Sequence, residues 1–196
     1  MKRIFAVLFA LTLIASCLST AFAEGAASTV EAAQPAGRIL VAYFSATGTT
    51  RSVAEKLAEG LGADLYEIVP EEPYSDADLN YNDSKSRTSI ETDDPSCRPA
   101  IEGELPDLTA YDTVLIGYPI WWGDVPRIVS NFVEHVDLSG KTLAVFFTSG
   151  SSGLGNSMKH LEQQAGAGTW LEGKRFTPRT TVEELTQWAA SLGIEP

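Results

Sequence analysis

The sequence predicts an α/β domain in which helices cover both faces of a parallel sheet. Strand-like and helix-like segments alternate five times along the chain, and the strands are apolar in continuous runs rather than at every second position. Parallel strands buried on both faces have this pattern. Three of the strands also run directly into loops of small or aromatic residues, at the sheet edge where such folds bind ligands.

The first two predicted strands enclose a helix. Residues 39–44, ILVAYF, form an apolar strand, and apolar residues then recur at three- and four-residue spacing from Val53 to Leu61. This spacing predicts a helix with one buried stripe, and Gly62 is placed to end it. Residues 64–69, DLYEIV, form a second short strand that Pro70 stops.

Residues 71–110 are polar and contain four prolines. A stretch of this length exceeds an ordinary connection and is typical of lids and binding loops. We expect an ordered excursion beside the functional site, with a helix over residues 75–92.

The remaining elements complete the alternation. Strands are predicted at residues 113–118, 142–147 and, more weakly, 169–171. Helices are predicted at residues 128–136, 156–164 and 182–192. Thr181 and Glu184 have the spacing of a capping box at the start of the last helix.

The first 23 residues have the pattern of a signal peptide. Lys2 and Arg3 precede an apolar run that is short for a membrane span, and Ala21 and Ala23 occupy the two positions read by signal peptidase. Cleavage after Ala23 predicts export through the Sec route, to the periplasm or the cell exterior.

The mature chain has two predicted parts and two alternative starting points. Residues 24–37 are rich in alanine, glutamate and glycine, which is typical of a flexible spacer, and the domain covers residues 38–196. The sequence that ends at Cys17 also resembles a lipobox, which would make Cys17 a lipidated N-terminus. Contact with a membrane is expected only in that second alternative.

Composition argues against several classes of partner and ligand. A formal net charge of −12 would repel nucleic acid and anionic lipid. His135 and His160 lie far apart with no cysteine pattern to join them, so we expect no metal site. Cys97 is the single cysteine of the domain, which excludes an intramolecular disulfide there.

The loop after the first strand gives the clearest indication of function. It contains Ser45, Thr47, Gly48, Thr49 and Thr50 and leads directly into a helix. Backbone N–H groups and the positive end of the helix dipole converge there, which suits a phosphate. The loop has no lysine or arginine, and the GxxxxGK[ST] and GxGxxG patterns are missing from the sequence. The predicted ligand is therefore a phosphate monoester.

Two more loops lie at carboxyl ends of strands and can converge on the same place. The loop after the third strand contains Pro119, Ile120, Trp121, Trp122 and Gly123. The loop after the fourth strand contains Thr148, Ser149, Gly150 and Gly153. The tryptophans offer a flat apolar surface, although Trp122 can equally serve core packing, and the glycines let the backbone approach a ligand closely.

These motifs resemble those of the flavodoxin family. Residues 45–50, SATGTT, match its [ST]-x-T-G-x-T phosphate loop position by position, and residues 117–123, GYPIWWG, and 148–153, TSGSSG, resemble an exported flavodoxin-like group. The resemblance covers residues 38–194. It implies a three-layer, doubly wound sheet of five parallel strands in the order 2-1-3-4-5.

The resemblance also implies an FMN cofactor. Its phosphate would lie on the loop of residues 45–50, and its isoalloxazine ring between the Trp121 loop and residues 148–153. Many short flavodoxins cover the outer face of the ring with a tyrosine from this last loop. Residues 148–153 contain no aromatic residue, which would leave that face open to a substrate.

Three functions remain open at this point. The first is electron transfer in the cell envelope, with a redox protein that docks on the acidic surface. The second is an FMN-dependent oxidoreductase, similar to quinone or NAD(P)H reductases, that acts on a small acceptor. The third is a cofactor-binding module without turnover. Export disfavours the use of NAD(P)H, because that pool is cytoplasmic.

Overall fold

The computed structural model describes residues 37–196, so the predicted signal peptide, Cys17 and nearly all of the predicted spacer lie outside the described residues. The strands are β1 Ile39–Tyr43, β2 Asp64–Glu67, β3 Thr113–Pro119, β4 Thr142–Thr148, β5 Thr169–Trp170 and β6 Lys174–Phe176. The helices are α1 Thr49–Leu61, α2 Arg87–Asp93, α3 Arg127–His135, α4 Ser157–Ala165 and α5 Val182–Ser191. None of these helices is long and apolar enough to cross a membrane.

The sheet is parallel and has the strand order β2-β1-β3-β4-β5, which confirms the predicted doubly wound topology. The chain moves from β1 to β2 on one side and then returns to place β3 on the other side of β1. The winding therefore reverses beside β1, and the loops after β1 and β3 flank the crevice where such sheets bind ligands.

The fifth strand differs from the prediction, because the structure divides it in two. Strand β5 pairs with the beginning of β4, and β6 pairs with its end, both in parallel. Between them Gly173 lies so close to β4 that a Cβ atom would overlap the side chain of Val145. The edge strand is thus interrupted at residues 171–173, and β6 carries the chain on to the carboxyl end of the sheet.

Strand β1 is buried on both faces, and its side chains alternate between two apolar cores. Leu40 and Ala42 pack in the core under α3 and α4, whereas Ile39, Val41 and Tyr43 pack in the core under α1 and α5. This is the three-layer arrangement that continuous apolar strands predict. The last helix begins with the predicted capping box, in which Thr181 and Glu184 each bond the other's backbone N–H.

The predicted helix over residues 75–92 is wrong for its first twelve residues, since the helix of this region is Arg87–Asp93. Side chains before it bond nearby backbone N–H groups: Asp78 accepts from Ser75, Asn80 from Asn82, and Asp83 from Lys85. Such local bonds offer the backbone an alternative to a helix. The excursion is ordered as a series of turns, and α2 begins only where Ser86 caps it.

Gly117 allows close packing in the centre of the sheet. It lies in β3 between Tyr43 of β1 and Phe146 of β4, and a Cβ atom at this position would overlap the ring of Phe146. Because Phe146 is fully buried in the core under α1 and α5, its ring cannot relieve the overlap by rotating into solvent.

We therefore expect Gly117→Ala to lower the free energy of unfolding by roughly 1–3 kcal/mol, the usual cost of overpacking a core. The measurement is urea denaturation of the mature protein followed by circular dichroism. Gly153→Ala is the control, because a Cβ atom there meets nothing within 4 Å. Equal unfolding midpoints for the two variants would contradict the packing argument.

Candidate functional site

A cavity of about 370 Å³ lies at the carboxyl ends of the strands. This volume falls within the ordinary range for sites that bind small molecules and cofactors, roughly 300–1,000 Å³. The residues that line it are Ser45, Ala46, Thr47, Thr49, Thr50, Leu79, Tyr81, Pro119, Ile120, Trp121, Thr148, Ser149, Gly150, Phe176, Thr177 and Pro178. The three loops singled out in the sequence thus meet at one place.

Helix α1 points its N-terminus at this cavity. Its N-cap is Gly48, which adopts a left-handed conformation with φ of 82° and has no side chain to cap the helix. The first N–H groups of a helix lack intrahelical acceptors, so those of α1 remain for a ligand. The hydroxyl oxygens of Thr47 and Thr49 lie 3.3 Å apart beside them. This arrangement suits an anion that accepts several hydrogen bonds.

Thr50 connects the first loop to the third. Its Oγ1 lies 2.8 Å from Oγ1 of Thr148, and both side chains are buried. This hydrogen bond joins the start of α1 to the end of β4, two strands away from β1. It fixes the distance between two of the loops that form the cavity.

The cavity offers no cationic side chain among its lining residues within 37–196. Arg51 follows the first loop directly, but its guanidinium group pairs with Glu67 at the end of β2. Burial and the negative charge of Glu67 raise the pKa of the neighbouring Tyr43 to about 12, so this phenol stays neutral. A bound phosphate would therefore be held by N–H groups, hydroxyls and the helix dipole.

Trp121 and Trp122 have opposite environments. Trp121 is 3% exposed and packs edge-on against Phe44 and Tyr74, at ring-centroid distances of 5.3 and 5.2 Å. It lines the cavity from within the core, together with Pro119 and Ile120. Trp122 is 41% exposed and lies outside the cavity lining. The packing role considered for Trp122 is therefore wrong, because Trp121 is the tryptophan that packs in the core.

A tight turn at residues 121–124 gives the two tryptophans these different environments. Trp121 and Asp124 exchange backbone hydrogen bonds of 3.0 and 2.9 Å, with Trp122 and Gly123 at the turn in left-handed conformations. Trp122, with φ of 48°, is the single non-glycine residue of 37–196 with positive φ. Such a conformation costs about 1–3 kcal/mol and persists only where its surroundings enforce it. Here Nδ1 of His160 holds Asp124 at 2.9 Å.

The excursion after β2 supplies an aromatic residue to the cavity that sequence motifs did not reveal. Tyr81 and Leu79 line the cavity, and the ring of Tyr81 lies 4.7 Å from that of Trp122. Residues 148–153 supply no aromatic side chain to the cavity, whereas the excursion supplies Tyr81. That a face of the flavin stays open to a substrate remains a prediction.

The same excursion is fixed beneath the cavity. Arg127 of α3 donates to the backbone oxygens of Glu91 and Thr92, at 3.2 and 2.7 Å. The hydroxyl of Tyr74 donates to Glu91 at 2.7 Å, while its ring packs on Trp121. The cavity wall made by the excursion is therefore anchored to the loop after β3.

The end of β6 and the turn that follows it form a further wall of the cavity. Phe176, Thr177 and Pro178 line the cavity opposite the excursion, and the Lys56 ammonium group fixes the turn by donating to the backbone oxygen of Pro178 at 2.7 Å. No sequence pattern predicted these residues, because β6, at three residues, is too short to produce a recognisable strand pattern.

Four residues proposed from the sequence lie outside the lining of the cavity: Gly48, Trp122, Gly123 and Gly153. Gly48 and Gly123 shape the adjoining turns through their positive φ angles. Cys97 also lies outside the lining and forms no disulfide, and burial raises the pKa of its thiol. Residues 37–196 contain no cluster of three or more acidic, histidine or cysteine side chains that could hold a metal ion.

Several solved structures are similar to this chain. A candidate flavoprotein from Bacteroides eggerthii is 45% identical, with a TM-score of 0.77, and the match covers 81% of this chain and 99% of that one. A candidate flavoprotein from Bacteroides uniformis is 43% identical, with a TM-score of 0.75, and the match covers 79% and 98%.

A more distant structure shares the fold. It is a flavoprotein from Lactobacillus acidophilus in complex with FMN, 23% identical with a TM-score of 0.60, and the match covers 79% of this chain and 99% of that one. No curated protein matches the chain. The family model described as flavodoxin matches residues 38–192. This protein therefore belongs to the flavodoxin family.

Proposed function

We propose that the protein binds FMN in this cavity and transfers electrons in the cell envelope. The observation that carries the proposal is the uncapped N-terminus of α1, which faces a cavity with hydroxyls at one end and aromatic side chains at the other. Membership of the flavodoxin family and the FMN complex of the Lactobacillus flavoprotein support the choice of cofactor.

The residues present fit an FMN molecule. Ser45, Thr47, Gly48 and Thr49 would hold the phosphate without a lysine or a metal ion, as a phosphate monoester permits. The isoalloxazine would lie beside Trp121 and the Ser149–Gly150 backbone. Bound FMN supplies one- and two-electron redox chemistry, and the protein sets its potential through stacking, hydrogen bonds and charge.

The aromatic rings of Tyr81 and Trp122 beside the cavity favour electron transfer over reduction of a small acceptor. Tyr81 lines the cavity, and its ring, which is 57% exposed, lies 4.7 Å from the exposed ring of Trp122. With FMN in the cavity, we propose that these two rings would hinder the approach of a flat acceptor for direct transfer of hydride. Electron transfer to a docked protein needs only an exposed edge of the flavin, so the carrier role is the one that this geometry supports.

The location in the cell envelope rests on residues 1–23. Their positively charged start, apolar run and small residues at positions 21 and 23 support Sec-dependent export. An exported carrier would exchange electrons with a protein partner, since NAD(P)H is cytoplasmic.

The phosphate loop is tested by Thr47→Val and Thr49→Val, which remove one hydroxyl each with little change of shape. Hydrogen bonds to a charged group are worth about 1.5–3 kcal/mol, so each variant should raise the Kd for FMN by about tenfold or more. Fluorescence titration of the apoprotein measures this.

Riboflavin, which has no phosphate, should bind both variants as it binds the wild type. Thr169→Val, at the far end of the sheet, is the control and should bind FMN normally. Equal losses for FMN and riboflavin would contradict the phosphate role, and the absence of any FMN binding by the wild type would overturn the proposed function.

The contribution of the Tyr81 ring to FMN binding is tested by Tyr81→Ala, with Tyr81→Phe as the control that keeps the ring. Loss of a stacking partner worth about 0.5–1.5 kcal/mol should raise the Kd for FMN roughly two- to tenfold and increase the fluorescence of bound flavin. It should also speed the reaction of the reduced protein with benzoquinone. Rapid bleaching of the wild-type flavin by NADPH would contradict the carrier role.

Processing is tested by intact-mass spectrometry of the protein from a bacterial envelope fraction. We expect a mature chain that begins at Glu24, and Ala23→Leu should leave the precursor uncleaved, because signal peptidase requires a small residue there. A mass that corresponds to a lipidated N-terminal Cys17 would show the alternative route, and full-length protein in the cytoplasm would contradict export.

A further inference from the structure

The carboxylate of Asp124 lies at the end of the turn that follows β3. Trp121 and Asp124 exchange the backbone hydrogen bonds of this turn, and Oδ1 of Asp124 also accepts from the N–H of Val125 at 2.8 Å. The side chain of Asp124 is largely buried. A buried carboxylate needs donors from its surroundings, so the neighbouring side chains decide how firmly this turn is held.

Two further side chains bind this carboxylate. Nδ1 of His160, in α4, lies 2.9 Å from both carboxylate oxygens, and Nδ1 is the donor because a carboxylate can only accept. Nη1 of Arg127, in α3, lies 3.4 Å from Oδ2, while Nε and Nη2 of this arginine donate to backbone oxygens of the excursion. The shorter of the two side-chain contacts to Asp124 is therefore the one from His160.

The segment that carries His160 approaches the turn at a second point. Gly155, just before α4, has φ of 57°, and a Cβ atom on it would overlap the backbone oxygen of Gly123. The backbones of the two segments are thus in close contact there, and the hydrogen bond between His160 and Asp124 adds a polar contact to this packing. Helix α4 and the residues before it support the turn at both places.

Trp122 needs this support because its conformation is strained. Its φ of 48° is left-handed, a conformation that a non-glycine residue keeps only where the surroundings enforce it. Trp121, on one side, is fixed by its burial in the core, and Asp124 fixes the other side. The hydrogen bond from His160 anchors that second side to a neighbouring helix.

Trp122 reaches the cavity through Tyr81. Their ring centroids lie 4.7 Å apart at an interplanar angle of 43°, and Tyr81 lines the cavity. Within residues 37–196 neither ring is paired with any other aromatic ring. A displacement of Trp122 would therefore remove the aromatic neighbour of Tyr81.

We propose that His160 is a positioning residue for the cofactor, an inference that rests on the proposed binding of FMN in the cavity. Its hydrogen bond to Asp124 keeps Trp122 in the left-handed conformation, and Trp122 keeps the ring of Tyr81 at the cavity. His160 itself lies outside the cavity lining, so its influence on FMN passes through these three residues.

The first test compares His160→Leu with His160→Asn by fluorescence titration of the apoprotein with FMN. Asparagine is close to leucine in size and has an amide N–H that can replace Nδ1 as a donor, whereas leucine has none. His160→Leu should raise the Kd for FMN roughly two- to fivefold, within the loss expected for removing the Tyr81 ring itself. His160→Asn should bind FMN as the wild type does.

Leucine is the better helix former of the two, so a loss seen in His160→Leu alone cannot come from a weaker α4. His135→Leu is the control, because Nδ1 of this exposed histidine donates to the backbone oxygen of Asn131 in its own helix. Its Kd should equal that of the wild type. A wild-type Kd for His160→Leu, or equal losses in its leucine and asparagine variants, would overturn the positioning role.

The route through Tyr81 is tested by combining His160→Leu with Tyr81→Ala. Once the Tyr81 ring is removed, the loss of the His160 hydrogen bond has no ring left to displace. The double variant should therefore have the same Kd for FMN as Tyr81→Ala alone. Independent contributions would instead multiply the two increases in Kd, and that result would overturn the route.

A third measurement needs no cofactor. Hydrogen exchange of the Trp121 and Asp124 amides, followed by NMR in the apoprotein, reports how often the turn opens. His160→Leu removes one hydrogen bond to a charged group, so exchange at these two amides should accelerate about tenfold. The amide of Val145, within β4, is the internal reference and should exchange as in the wild type. Unchanged exchange at the turn would contradict the support by His160.

The two proposals fail in different ways. A wild-type protein that binds no FMN, together with faster exchange in His160→Leu, would uphold the support of the turn by His160 and overturn the proposed function. A protein that binds FMN equally well with histidine or leucine at position 160 would keep the proposed function and lose this positioning residue.

Discussion

Strand β1 is hydrogen-bonded on both edges, by β2 and β3, and covered by helices on both faces, so none of its side chains is more than 6% exposed. A strand in that position must be apolar throughout, and it must end at the crevice where the winding reverses. The small residues that follow it let α1 begin at once. The position of the phosphate loop is thus a consequence of how β1 is buried.

The cavity is built on this frame by hydrogen bonds between loops that are distant in sequence. Thr50 bonds Thr148 across the sheet, and Arg127 ties the excursion to the loop after β3. The strained conformation of Trp122 is maintained between Trp121, which is fixed in the core, and Asp124, which is held by His160. A turn fixed from both ends can carry an exposed indole at a defined position beside the cavity.

The arginine side chains differ in whether they form ion pairs. Most arginines are used locally, in ion pairs that fix β2, α2 and the excursion, whereas Arg175 and Arg179 form no ion pair within residues 37–196. The net charge of the chain therefore describes its solubility better than its contacts. Recognition depends on charges within about a Debye length of the bound group, and only their arrangement in space sets that local balance.

The order of the strands was implied by the resemblance to the flavodoxin family. The sequence by itself determined the parallel sheet with helices on both faces, the capping box and three of the loops that form the cavity. Those features depend on local patterns: continuous apolar runs, helical spacing and small residues at the ends of strands. Ten of the proposed site residues line the cavity for this reason, because parallel strands bring their carboxyl ends together.

Only the tertiary structure decided the remaining walls and the different roles of the two tryptophans. Tyr81 lies in a turn shaped by side-chain bonds, and Phe176 follows a strand of three residues, so neither has a periodic pattern around it. Adjacent tryptophans are equivalent in sequence, and the left-handed turn after Trp121 is what places one in the core and the other outside. Long-range packing sets such features, and no local pattern encodes it.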